Sequence, residues 1–541
     1  MKLIYSDKYT LEPGQVAGFS KIVTDYLSQD PFLEDFIQFF PKLETIAQMI
    51  QVKKVSDKTR EILVSIIKQQ YQQFLSSDHP FYHKIQSLYD VNTFSVCAGH
   101  QLNIFGGPLY CLYKIASCIN AARQISKCTG KNVLPVFWLA SEDHDMEEIK
   151  FTEVFGKRYE WETDWKGASG KAECKGLEEL IAQILSDVRP SEHSSKVFSL
   201  LKKCYQNGKS LSLATREFLH ELFGSYGLIL LDADDHSLKK MFLPVMLDDI
   251  QMHSAKETVN QSIEKLRSRY HIQMNPRTVN LFYMTTGSRE RIIQDNESFR
   301  TTDSDRAWTL ESLSSELKMH PERFSPNVTL RPLYQESVLP NIATVGGPAE
   351  LAYWLELKHM FEKWSVSFPM FLLRNSFLLV DKIACSKLEK YHIYPEHIFD
   401  TSDAWIRSYV NEKFPSQIDL DNYKNGLKHT IDKLSNDVSK IDKSLVPSVQ
   451  SVQVSLEKSI ANLETKIFRA LKKKQENDVE QLKSLREKLF PSDVLQERKE
   501  YLLQYLIMYG LGFVAEIVDH ADPFPGKFTV LAESKLLRAK S

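Results

Sequence analysis

The sequence predicts an α/β protein: a doubly wound parallel sheet carrying inserted segments, followed by an antiparallel pair of long helices. Three observations lead there. Almost continuously apolar runs, such as Asn132–Ala140 (NVLPVFWLA) and Gly227–Leu231, alternate with helix-like stretches and end abruptly in acidic residues. Strands buried on both faces of a parallel sheet read this way. The tripeptide Gly-Gly-Pro occurs at 106–108 and again at 346–348, each time between a strand-like and a helix-like stretch. Leu427, Ile431, Leu434, Val438, Ile441 and Leu445 follow at spacings of 4, 3, 4, 3 and 4, which is the seam of a coiled coil.

Taken in order, residues 1–90 read as mainly helical. Thr93–Cys97 reads as a strand, Leu109–Ser126 as a helix, and Asn132–Ala140 as a second strand. Residues 151–225 are more polar and read as an irregular insertion. Gly227–Leu231 is a third strand, 236–270 is helix, and 275–335 is mixed and turn-rich. The prolines of 324–341 predict an extended stretch. Asn341–Val345 is a strand, Ala349–Trp364 a helix, and 368–381 supplies further strand. Pro447 separates the first heptad arm from Leu456, Ile460, Leu463 and Ile467, with Leu482, Leu485 and Leu489 beyond. The expected organisation is a core at 1–394 with insertions near 151–225 and 236–320. A helical hairpin domain follows at 395–500, and a segment at 501–541 docks back.

The 541 residues carry 68 basic and 70 acidic side chains, a formal charge of −2. That balance offers no global field for nucleic acid or anionic lipid. No apolar run approaches the about 20 residues needed to span a bilayer, and the first ten residues lack the apolar centre of a secretory leader. Seven cysteines with no CxxC pair argue against a disulfide framework or structural zinc. Cys111 and Cys118, seven apart in an apolar helix, read as core thiols. A cytoplasmic location is expected.

The candidate chemistry lies at the strand ends, where open parallel sheets bind ligands. Glu142, Asp143, His144 and Asp145 follow the second strand; a carboxylate beside an imidazole can move protons near neutral pH, and carboxylates can hold Mg²⁺. Solvated caps of the next helix would look the same. Gly106 and Gly107, and Gly346 and Gly347, each precede a proline suited to a helix's first turn. Each corner reads either as an anion-binding helix start or as a plain tight turn. Gln101, Tyr110, Lys114, Arg331, Tyr334, Gln335, Glu350 and Tyr353 complete the candidate binding set, Arg331 as a bidentate partner for a carboxylate. No metal set can be assigned. GxxxxGK[ST], GxGxxG, HEXXH, GxSxG and kinase signatures are absent.

The combination is more specific than its parts. Gly99-x-Gln101, Phe105-Gly106-Gly107-Pro108-Leu109-Tyr110 with Lys114, PVFWLASEDHD, SPNVTLRPLYQESVLPNIATVGGPAELAYW and the heptad hairpin occur in that order. The chain thereby resembles the cysteine-adding enzyme family of bacillithiol biosynthesis. The resemblance implies a Rossmann-like core with connecting segments, similar to class I aminoacyl-tRNA synthetases, and a coiled coil that makes a homodimer. It implies a ligase that joins cysteine to the glucosamine amine of glucosaminyl malate. ATP with Mg²⁺ is implied as well, although no nucleotide motif is present. Where Thr-Gly-Gln-Gln is common in the family, this chain has Ala98-Gly99-His100-Gln101. Two alternatives stay open: another ATP-dependent amide ligase or nucleotidyl transferase on the same scaffold, and a non-catalytic coiled-coil protein that binds a metabolite.

Overall fold

The computed structural model describes residues 4–16, 18–414 and 420–537. It divides into two compact units, Met1–Leu378 with Leu495–Leu531, and Leu379–Val494 with Ala532–Ser541. The first is built on a five-stranded sheet of β1 (Thr93–His100), β2 (Asn132–Leu139), β3 (Ile229–Asp232), β4 (Asn341–Gly346) and β5 (Met370–Leu373). The strand order is β5-β4-β1-β2-β3, and every pairing is parallel. Cys97 of β1 sits opposite Val136 on one side and Thr344 on the other. Most residues of these strands are buried, which is why the sequence shows apolar runs there rather than alternation. From β1 the chain winds outward to β2 and β3, and from β4 it winds the other way to β5. The sheet is therefore the Rossmann-like, doubly wound kind, with its topological switch point between β1 and β4, where such sheets bind ligands.

Helix α1 (Leu109–Thr129) follows β1, and α2 (His236–Gln251) follows β3. α3 (Arg331–Val338) precedes β4, and α4 (Pro348–Leu355) follows it. α3 corrects the expectation of an extended stretch: Pro332 lies in its first turn, where a missing N–H costs nothing. The helix expected over Ala349–Trp364 breaks after Leu355 and resumes at Lys358–Lys363. Residues 151–225 are not irregular but mostly helical, with amphipathic helices at Leu177–Asp187, Glu192–Cys204 and Leu211–Phe223. Their polar residues form outward faces, which raised the average polarity of a segment with a helical apolar stripe. The turn-rich part of the second insertion is an antiparallel sheet, in order Ala307–Thr309, Ser298–Thr301, Ser288–Asp295, Leu281–Thr285, Phe324–Pro326. All seven cysteines are free thiols, and all but Cys128 are buried.

In the second unit, α5 (Leu420–Ile441) and α6 (Val446–Lys474) form the expected antiparallel hairpin. Lys424 Nζ meets Glu464 Oε2 across it at 3.1 Å. The seam is only half covered within the hairpin. Ile431 is buried, but Leu434 is 46% and Leu463 50% exposed. Leu482, Leu485 and Leu489 belong to a separate helix, Glu476–Leu489, and are buried. Among the described residues no single helix is long and apolar enough to cross a membrane.

Candidate functional site

A cavity of about 770 Å³ opens at the carboxyl ends of the strands, at the switch point. The end of β1 gives it Gly99, His100 and Gln101. The loop after β2 gives Glu142 and Asp143, α1 gives Tyr110 and Lys114, and α4 gives Gly347, Glu350 and Tyr353. Arg331 and Arg374 close the side beneath α4, and a strap through Gln273, Met274 and Arg277 forms the far wall.

The acidic end of β2 is dispersed rather than clustered. Asp143 Oδ2 accepts a hydrogen bond from Gln101 Nε2 at 2.8 Å, and its Oδ1 accepts the His144 backbone N–H at 2.7 Å. Gln101 Nε2 also donates to Glu148. Glu142 turns inward and pairs with Lys239 Nζ at 2.6 Å. That lysine, on α2, is fully buried and reaches Asp234 Oδ1 at 2.6 Å as well. Burial pushes Glu142 up from the usual carboxylate range, only partly offset by Lys239. Burial would also discharge Lys239, but its two carboxylates hold it above the ordinary lysine value. His144 is exposed and does not line the cavity; its Nδ1 accepts from Arg289 Nη1 at 3.0 Å. Burial and then Arg289 hold His144 below the ordinary imidazole value. Asp145 is exposed and stands outside the cavity too.

The two Gly-Gly-Pro corners differ. At the first, Gly106 and Gly107 have φ of +90° and +68°. A Cβ on Gly106 would lie 2.6 Å from Leu502, and one on Gly107 2.6 Å from Asn103. Leu109 N donates to Glu500 O, and Leu502 N to Gly107 O, both at 2.9 Å. The returning C-terminal segment thus covers this corner, and neither glycine lines the cavity. At the second, Gly346 is packed under the Phe371 ring, whereas Gly347 faces the cavity. Gly347 N donates to Glu350 Oε2 at 2.8 Å, and Lys114 Nζ meets the same oxygen at 2.7 Å. Burial raises Glu350, but Lys114 and the Gly347 N–H outweigh it and keep its carboxyl below the usual range. Lys114 also donates to Gly99 O at 3.0 Å, tying α1 to the end of β1.

Arg331 is held from below. Gln335 Nε2 donates to Glu336 and Thr344, which turns its Oε1 towards Arg331 Nη1 at 3.1 Å. Glu336 is itself paired with buried Lys53 at 3.1 Å. Arg331 Nη2 reaches the Tyr353 hydroxyl at 3.5 Å. Gln335 is therefore a positioning residue, and Tyr334, whose hydroxyl donates to Ala233 O from a fully buried ring, belongs to the core.

Several residues of the site carried no motif in the sequence. Arg374 Nη2 meets Glu497 Oε1 at 2.7 Å and its guanidinium lies 5.7 Å from the Tyr110 ring. An arginine inside the apolar run FPMFLLRNSFLLVD is the one signal that pointed to it. Arg277, Arg289, Arg291 and Arg498 also line the cavity and form no ion pair among the described residues. With Glu142 and Glu350 each matched by a lysine, the wall is left with excess positive charge. Among the described residues no group of three or more His, Cys, Asp or Glu is placed to hold a metal ion.

The strap is clamped at both ends by buried carboxylates. Glu356, at the break after α4, accepts from Gln273 N at 2.8 Å and Met274 N at 3.0 Å. Asp249, on α2, accepts from Asn280 N at 2.5 Å and Asn280 Nδ2 at 2.9 Å. Burial pushes both up to about 7, against the backbone and side-chain N–H groups that pull them down. Each folded value lies above that of the unfolded chain, so the native state holds protons that the unfolded chain releases. The resulting stability is complete below about pH 4 and is lost as pH rises through about 7. Unfolding free energy of Glu356→Gln minus that of wild type is expected to rise between pH 5 and 8, by up to about 1.4 kcal/mol per pH unit. Denaturant titrations at four pH values read it; a constant difference would show that Glu356 does not titrate there.

The description "Bacillithiol biosynthesis BshC, N-terminal Rossmann-like domain" matches residues 9–375, and "C-terminal coiled-coil domain" of the same family matches 377–533. A protein of Christiangramia forsetii named "Putative cysteine ligase BshC" is 37% identical over 95% of this chain and 97% of its own. Proteins of the same name from Flavobacterium psychrophilum and Flavobacterium johnsoniae are 36% and 34% identical, over 95% and 96% of this chain and 97% and 98% of theirs. With its doubly wound sheet, its switch-point cavity and its helical hairpin, the chain belongs to the BshC family of bacillithiol biosynthesis.

Proposed function

We propose that the chain joins the carboxyl carbon of cysteine to the glucosamine amine of glucosaminyl malate, giving bacillithiol. The observation that carries this reading is the excess of arginine around a cavity at the switch point. Malate is a dicarboxylate, and Arg331, Arg289 and Arg277 offer planar donors of the kind that hold carboxylates in pairs. Asp143, at the end of β2, accepts the proton that the amine loses as the C–N bond forms. One carboxyl oxygen of cysteine leaves with the group that activates it. ATP with Mg²⁺, implied by the family likeness, would supply that activation, and the arginines suit its phosphates.

We place the reaction in the cytoplasm, where free thiols persist. A second copy of the chain is the partner that suits the half-exposed seam of α5 and α6, because long apolar heptads left open to water gain most from a matching helix pair. Purified protein given cysteine, glucosaminyl malate and ATP–Mg²⁺ is expected to form bacillithiol, read by mass spectrometry, and to sediment at twice 62.5 kDa. No product under those conditions, with unchanged bacillithiol in a deletion strain, would overturn the ligase reading. A species of single mass would overturn the dimer.

A further inference from the structure

His100 is the last residue of β1, at the switch point, and is one of the residues that line the cavity. Its backbone is fixed on the sheet: His100 O accepts from Ala140 N at 3.0 Å. The ring stands nearly perpendicular to that of Tyr110, with centroids 5.3 Å apart. Yet Nε2 is buried with no hydrogen-bond partner. Buried polar atoms are nearly always satisfied, and an exception in a cavity wall points to a group that arrives with the ligand. Burial, and then the cations Lys114 and Arg374, hold the imidazole far below its ordinary value. The ring is therefore neutral, and one of its nitrogens carries a free lone pair.

The carboxylates of this wall already hold partners. Asp143 is taken by Gln101, Glu142 by Lys239, and Glu350 by Lys114 and the Gly347 N–H. The lining holds more cationic donors than carboxylates. A ligand that is anionic at one end suits the arginines; an N–H at its other end needs an acceptor, and His100 Nε2 is a buried polar atom of this wall without a partner.

We infer that His100 touches the substrate, its Nε2 accepting a hydrogen bond from the amine of the amino sugar. This rests on the proposed function and makes His100 a specificity residue for the amine. A glutamine in its place keeps an amide oxygen near the same point, so the two residue types can serve one purpose.

The test crosses variant with ligand. Binding of glucosaminyl malate and of its 2-deoxy analogue, which has hydrogen in place of the amine, is measured by calorimetry for wild type, His100→Phe and His100→Gln. His100→Phe keeps an aromatic ring against Tyr110 but has no nitrogen. It is expected to bind glucosaminyl malate about tenfold to a hundredfold more weakly than wild type. The analogue should bind wild type and His100→Phe alike, and His100→Gln should recover most of the loss. Equal weakening for both ligands would show that the ring only shapes the cavity, and no weakening would show that it touches nothing; either overturns the assignment while the ligase reading stands. Wild type that binds neither ligand would overturn the ligase reading, and this assignment with it.

Discussion

Lys239→Met is expected to lower the unfolding free energy of the first unit by about 3–5 kcal/mol. The lysine is fully buried and stands 2.6 Å from each of two carboxylates, Glu142 and Asp234, while also donating to Glu322 O at 3.2 Å. Methionine fills the volume but removes the charge. Glu142 then sits beside Asp234 with only the more distant Arg289 to offset it, whereas Asp234 keeps Lys171 at 2.8 Å. The uncompensated charge is therefore that of Glu142, and its cost is the desolvation of a carboxylate rather than the loss of one contact. Lys239→Met combined with Glu142→Gln removes the stranded charge and is expected to regain at least half of the loss. Denaturant unfolding reads both. A single-variant loss below about 1 kcal/mol would mean that Glu142 takes up a proton at little cost, and the pair would not be what holds the end of β2 in place.

Much of the architecture was legible because burial writes itself into sequence. β2 lies inside the sheet and β3, at its edge, is buried from Ile229 to Leu231, so both read as apolar runs, and Gly106, Gly107 and Gly346 have no room for a side chain. The heptads of α5 and α6 read directly as a hairpin. The same logic found Lys114, Glu350, Arg331 and Tyr353, which lie on the helices flanking the switch point and do converge on one cavity. It could not tell the two Gly-Gly-Pro corners apart. What separates them is a chain that returns four hundred residues later to cover the first, and no local pattern records that. Tyr334 was placed with Arg331 on an extended stretch; on helix α3 the two point to different surroundings, one into the core. Lys239, Arg289 and Arg374 stayed hidden because a single charged residue acquires meaning only from the partners that folding brings to it.

Asp143→Asn is expected to reduce kcat about 100- to 10,000-fold, the range for a lost general base, in a protein that unfolds as wild type does. The substitution keeps the shape of the side chain and one oxygen, so an acceptor remains for either Gln101 Nε2 or the His144 backbone N–H. It removes the ability to take a proton. His144 is a weaker candidate for that step: its Nδ1 already accepts from Arg289, and the ring stands outside the cavity. His144→Gln is accordingly expected to change kcat less than tenfold. The contrast between the two variants decides which member of the acidic strand end does the chemistry. If Asp143→Asn keeps kcat within tenfold of wild type while His144→Gln abolishes it, the proton leaves through the imidazole, and the arginine that now neutralises His144 would have to move when substrate binds. If both variants stay active, the carboxylates after β2 serve only to hold Gln101 and α2, and the amine loses its proton to solvent.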